Sequence, residues 1–204
     1  MTARGRFVSL EGGEGAGKST QAARLAEALR ARGHDVLVTR EPGGSPGAEA
    51  IRALVLAGGA DRWGAGAEAL LFAAARADHV ERVIRPALAA GRWVLCDRFL
   101  DSSIAYQGGA GGVGEAAIRA LHAIGSGGLL PDRTLLLALD PAEGLRREAA
   151  ADRMAARGPA FHAAVAASFG SLAAAELERF RVIDAAGDPD TVTARALAAL
   201  ADLL

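Results

Sequence analysis

Short apolar runs alternate along this chain with longer Ala- and Leu-rich stretches whose apolar residues recur at helical spacing. That alternation predicts an α/β domain on a parallel sheet, with helices covering both faces. Strands are expected at Phe7 to Leu10, Val36 to Thr39, Trp93 to Asp97, Thr134 to Leu139 and Arg181 to Ile183, each bounded by Gly, Pro or charged residues. Between the first two, a helix from Lys18 to Arg32 should stop at Gly33. A last helix should open with Asp188 as its cap and Pro189 as its first residue. Pro86 interrupts the apolar periodicity from Ala65 to Ala90 and predicts two helices there, because its ring removes a backbone hydrogen bond.

With no internal repeat, low-complexity tract or linker, the 204 residues read as one domain, 1–204. The chain is 51% hydrophobic and 23% charged with a net charge of -1, the profile of a globular domain rather than a disordered one. Only 4% of residues are aromatic and the charge is near neutral, which argues against a nucleic-acid partner. A single cysteine, Cys96, rules out an internal disulfide framework and reads as a small core residue. Neither a signal-peptide pattern nor a bilayer-length apolar run is present, so no membrane partner and a cytoplasmic location are expected.

The strongest chemical signal is Gly12-Gly13-Glu14-Gly15-Ala16-Gly17-Lys18-Ser19, followed by Thr20. It matches G-x-x-x-x-G-K-[ST] in full and lies between a predicted strand and a predicted helix, the context such a phosphate-binding loop requires. Successive backbone N–H groups and the helix N-terminus would cradle phosphates, with Lys18 reaching the β/γ-phosphates and Ser19 a Mg²⁺ ion, so ATP and Mg²⁺ are the expected cofactors. Lys18 is the one lysine among 23 basic residues, placed where a compact ammonium is wanted and a guanidinium would not fit. Asp97, closing the run Trp93-Val94-Leu95-Cys96, suits the second metal-holding carboxylate, although an Asp after a strand also serves simply to cap a loop. Arg98 directly after it favours the first reading.

Asp97-Arg98-Phe99 with Ser102-Ser103-Ile104-Ala105-Tyr106-Gln107-Gly108-Gly109 resembles the signature of the thymidylate kinase family. Glu41-Pro42-Gly43-Gly44 and Leu71-Phe72-Ala73-Ala74-Ala75-Arg76 are further matches, in order, so that the resemblance covers nearly the whole chain. It implies an adenylate-kinase-like P-loop fold, a five-stranded parallel sheet flanked by helices, with a lid. It also implies phosphorylation of dTMP by ATP and a homodimer through the helices around Leu70 to Leu88. By the same resemblance Phe72 stacks on thymine, Arg76 bonds its carbonyl edge, Ser103 completes the base readout, and Tyr106 and Gln107 pack around sugar and base. Glu41 joins the acceptor site, Arg98 holds phosphate, and Glu14 accepts the sugar 3′-OH. Gly15 resembles the bacterial subtype without an arginine in the loop, so the charge-stabilising arginine should come from a lid at about 145–158. Arg153, preceded by Asp152, is the choice for it among Arg146, Arg147, Arg153 and Arg157.

Two departures accompany the resemblance. Gly111 stands about where an arginine is usual, and Phe169 where tyrosine is expected. From the residues alone, Phe72 in the run Leu70-Leu71-Phe72 equally suits a core position, and an arginine-rich helix equally suits a solvated face. A P-loop kinase for another small acceptor would share the phosphate loop. A GTPase switch finds a D-x-x-G match at Asp184 to Gly187, but the chain contains no asparagine, which leaves no N-K-x-D element for reading guanine. His34, His79, His122 and His162 show no metal-ligand spacing.

Overall fold

The computed structural model describes residues 4–59, 61–147 and 153–204. Among them five strands, β1 Phe7–Glu11, β2 Val36–Arg40, β3 Trp93–Asp97, β4 Arg133–Ala138 and β5 Phe180–Asp184, form one fully parallel sheet in the order β2-β3-β1-β4-β5. Every expected strand is present, shifted by a residue at some ends. Successive side chains of a strand go to opposite faces, and the core divides accordingly. On one face Val8, Leu10, Leu95, Leu135 and Leu137 pack against α1 (Lys18–Arg30) and α9 (Pro189–Ala198). On the other, Phe7, Val94, Cys96 and Leu136 meet α3 (Ala65–His79), α6 (Glu115–Ser126) and α8 (Pro159–Ala175).

The remaining helices are α2 (Pro46–Leu56), α4 (Arg85–Ala89), α5 (Leu100–Ser103) and α7 (Pro141–Arg147). Asp188 caps α9 as expected, its carboxylate accepting from the Thr191 N–H at 2.9 Å. The break expected at Pro86 takes a different form. Helix α3 runs through a π turn, Val80–Ile84, into α4, so the irregularity lies just before the proline, which occupies the first turn of α4. Widening the turn ahead of Pro86 relieves the ring's clash with the carbonyl four residues back. A second π turn, Ile104–Ala110, continues α5 and carries Tyr106 and Gln107.

This turn also explains one departure from the family pattern. A Cβ at Gly111 would lie 2.8 Å from both the Tyr106 and Gln107 carbonyl oxygens, and the Gly111 N–H bonds the Tyr106 carbonyl at 2.8 Å. Backbone atoms that close cannot give way, so an arginine there would require a different turn. Phe169, at the tyrosine position, keeps its packing and meets Tyr106 edge-on at 6.4 Å.

Candidate functional site

The C-terminal ends of β1, β2 and β3 open on one cavity of about 320 Å³, within the usual range for a small-molecule site. The loop after β1 turns directly into α1, which places Lys18 and Ser19 on its floor. Helix α7 packs tightly on the outside of that loop. A Cβ on Gly15 would come within 1.9 Å of the Gly144 carbonyl, and one on Gly144 within 2.2 Å of the Glu14 carbonyl. Two glycines facing each other are therefore a steric requirement of this contact.

Lys18 donates from Nζ to the Gly13 carbonyl at 2.6 Å and so lies back along its own loop. Burial, reinforced by the like charge of Arg98, lowers its ammonium to about 8. The Ser19 hydroxyl donates to Asp97, which brings an alcohol oxygen and a carboxylate together at the edge of the cavity. Glu14 points away from the phosphate loop. Its Oε2 accepts from Arg98 at 2.9 Å and its Oε1 from the Tyr106 hydroxyl at 2.7 Å. Burial would raise this carboxyl, but the charges of Arg98 and Lys18 and the Tyr106 bond outweigh it and hold it down at about 2.

Arg98 follows Asp97 with φ at 67°, a left-handed backbone unusual for a residue with a side chain. The turn swings its guanidinium back over the loop, where Nη1 donates to the Gly12 carbonyl at 3.0 Å and to Ser102 at 3.2 Å. The guanidinium also lies 5.0 Å from the centre of the Tyr106 ring. The opposite wall comes from α3 and the second π turn. Phe72, Arg76, Ser103, Tyr106 and Gln107 all face the cavity, with Glu41 and Pro42 beside them. Arg76 donates from Nε to Glu41 at 2.7 Å and from Nη2 to Ser103 at 2.6 Å and the Phe99 carbonyl at 3.2 Å.

Glu14, Lys18, Ser19, Glu41, Phe72, Arg76, Asp97, Arg98, Ser103, Tyr106 and Gln107 thus converge on one cavity from separate parts of the chain. Arg153 does not join them. Expected at the phosphates, it donates instead from Nε to the Val55 carbonyl at 2.9 Å and from Nη2 to Glu68, a buried carboxylate on α3 that offers a guanidinium strong bonds. Asp152 and part of the expected lid, 148–152, lie outside the described residues. Arg147 is paired with Glu143 on α7.

Several residues of the site were not anticipated. Arg40 and Arg52 line the cavity beside Glu41 and Pro42, Arg40 held by Glu49 at 2.9 Å and Arg52 donating to the Pro42 carbonyl at 2.6 Å. Glu11, fully buried at the end of β1, accepts from the Phe99 N–H at 2.8 Å and from Ser102 at 2.6 Å. Burial first, and then the Asp101 charge, raise its carboxyl to about 8. Glu68 was missed as well, although Glu68, Phe72 and Arg76 fall at successive fourth positions of α3 and hence on one helix face. His79 is buried within α3, its ring nitrogens meeting Thr39 at 2.7 Å and Glu41 at 3.0 Å. Glu41, His79 and Cys96 are the one group of three possible metal donors among the described residues. With Glu41 held by Arg76 and the Cys96 thiol raised by burial and donating to the Arg98 carbonyl, the group reads as a satisfied polar cluster.

A family model described as Thymidylate kinase matches residues 10–196. A thymidylate kinase of Rhizorhabdus wittichii is 67% identical over 205 residues, spanning 98% of this chain and 99% of its own length. One from Caulobacter vibrioides is 55% identical over 194 residues, with coverages of 94% and 93%. Among solved structures, the thymidylate kinase from Ehrlichia chaffeensis superimposes with a TM-score of 0.79 at 30% identity, over 97% of this chain and 99% of that one. Matched by the family model over residues 10–196 and by these relatives over nearly its whole length, the chain belongs to the thymidylate kinase family.

Proposed function

We propose that this protein transfers the γ-phosphoryl group of ATP to the 5′-phosphate of dTMP, giving dTDP and ADP. The observation that carries this reading is the convergence on one cavity of a phosphate end, Lys18, Ser19, Asp97 and Arg98, and a base-reading end, Phe72, Arg76, Ser103 and Gln107. Family membership supports the acceptor assignment.

The N–H groups of residues 12–17 and the start of α1 cradle the donor phosphates, with Thr20 following on the helix. Ser19 and Asp97 offer the hard oxygen donors that Mg²⁺ prefers and would hold it, and the ion would add positive charge at those phosphates. Lys18 and Arg98 stand where negative charge develops as an acceptor phosphate oxygen attacks the γ-phosphorus and the bond to the β-phosphate oxygen breaks. Arg40 and Arg52 supply cations on the acceptor side of the same cavity. Glu14, ionised across the physiological range, offers an acceptor to the sugar 3′-OH, and Tyr106 beside it crowds a 2′-OH and favours the deoxy sugar. With its guanidinium on Glu68, Arg153 is assigned no contact with the transferring group.

A homodimer through α3 and its neighbours belongs to the same proposal. Leu70 is 58% exposed and Ile124, on α6, 84% exposed, whereas Leu88 is core, which narrows the expected surface to the outer faces of α3 and α6.

Purified protein with Mg-ATP is expected to release ADP strongly with dTMP and weakly with AMP, dGMP, CMP or shikimate, and Lys18→Ala should lower turnover at least about 100-fold. Preference for another acceptor would retain a P-loop kinase and remove the base-site assignments. The kcat/KM for ATP should fall as pH rises through about 8, because the free enzyme then loses the Lys18 proton, and Glu14, at about 2, should add no acidic limb between pH 5 and 8. A flat profile to pH 9.5 would contradict the placement of Lys18. Light scattering should give a dimer for the native chain and a monomer for Leu70→Glu; a native monomer would remove the dimer proposal.

A further inference from the structure

Glu68 lies on α3 behind the cavity wall and is 2% exposed. Its Oε1 accepts from Gln107 Nε2 at 2.9 Å. On its other oxygen it accepts from Arg157 Nη2 at 2.8 Å and from Arg153 Nη2. Glu68 thus ion-pairs with two guanidinium groups, and an ion-paired carboxylate only accepts hydrogen bonds. A primary amide next to it has one favourable orientation, with its NH₂ turned to the carboxylate and its carbonyl oxygen turned away.

Gln107 lines the cavity, so the end of its amide left for a ligand is an acceptor. Arg76, on the same wall, uses Nε for Glu41 and Nη2 for Ser103 and Phe99, and its Nη1 remains a donor. A donor beside an acceptor complements an imide edge, a C4 carbonyl next to an N3–H. Thymine and uracil present that edge; cytosine presents the reverse, an amino group next to a bare N3.

We propose that Glu68 is a specificity-determining positioning residue that never touches the acceptor, and that it sets the base preference by fixing the orientation of the Gln107 amide. The proposal rests on the dTMP-kinase reading and deepens it. Arg153 and Arg157 serve as the cations that hold Glu68 in place, and Arg153, tied to Val55 as well, links the end of α2 to this cluster. Arg157 further lies 4.5 Å from the centre of the Phe161 ring, so the cluster is braced against α8.

In the variant Glu68→Gln the new amide either donates or accepts, and the orientation of Gln107 is no longer imposed. The readout is the ratio of kcat/KM for dTMP to that for dCMP, with Mg-ATP in excess. We expect this ratio to fall by about tenfold or more in Glu68→Gln, since a site loses discrimination when its hydrogen-bonding sense is no longer fixed. Glu68→Asp, which keeps the carboxylate, should hold the ratio within about threefold of the native value, and it provides the same readout should Glu68→Gln not fold. If both substrates lose activity in proportion and the ratio stands, Glu68 merely supports the fold and the proposal is overturned. Loss of the ratio in Glu68→Asp would overturn it too. Failure of native protein to use dTMP in the same assay would instead remove the parent reading.

Discussion

The guanidinium of Arg98 is where the phosphate loop and the acceptor wall meet. It donates to the Gly12 carbonyl and Glu14 on the loop side and to Ser102 on the other, where it also lies over the ring of Tyr106. Reaching all of these requires the left-handed backbone at Arg98, a conformation that costs about 1–2 kcal/mol outside glycine and persists only when its surroundings impose it. Here they do: its N–H is held by the Leu10 carbonyl at 2.9 Å while the side chain is held at its far end. Because Glu14 and Tyr106 both contact Arg98, one guanidinium organises the loop side and the π-turn side of the cavity together.

A second buried charge pair organises the wall on α3. Arg76 and Glu41 pair at 2.7 Å with both side chains almost fully buried; His79 adds a bond to Glu41, and Ser103 and the Phe99 carbonyl accept from Arg76 Nη2. Removing one member of such a pair typically costs about 3–5 kcal/mol, because the other charge is left alone in a dry interior. The cavity wall formed by α3 and the second π turn is accordingly held in place by buried partners.

Much of this was legible in the sequence. The phosphate loop, the strands around it and Asp97-Arg98 announce themselves because local backbone demands and a contiguous motif coincide there. The placement of Phe72 and Arg76 on the cavity needed the family resemblance, since an aromatic in an apolar helix carries no mark of facing a ligand. What sequence patterning could not supply were partnerships between residues far apart in the chain. Arg153 among alanines looked like a solvated or phosphate-facing arginine, and only the fold brings Glu68, 85 positions away, beneath it. Glu11 was similarly silent, because a carboxylate ending an apolar strand looks the same whether solvated or buried against Ser102 and the Phe99 N–H. Pro86 announced an interruption but not its form, a π turn just before the ring, and the second π turn, which buries Tyr106 and Gln107, carries no local signal of residue type.

The central claim is that one cavity holds the acceptor with its base on Phe72 and its phosphate toward Lys18. A crystal structure of the protein with dTMP and a non-hydrolysable ATP analogue tests it most directly. The account predicts the thymine ring against Phe72, its C4 carbonyl at Arg76 and its N3–H at the Gln107 carbonyl oxygen, the 3′-OH at Glu14, and the 5′-phosphate between Arg98 and the donor phosphates. Nucleotide density elsewhere, or a base turned toward the phosphate loop, would contradict it.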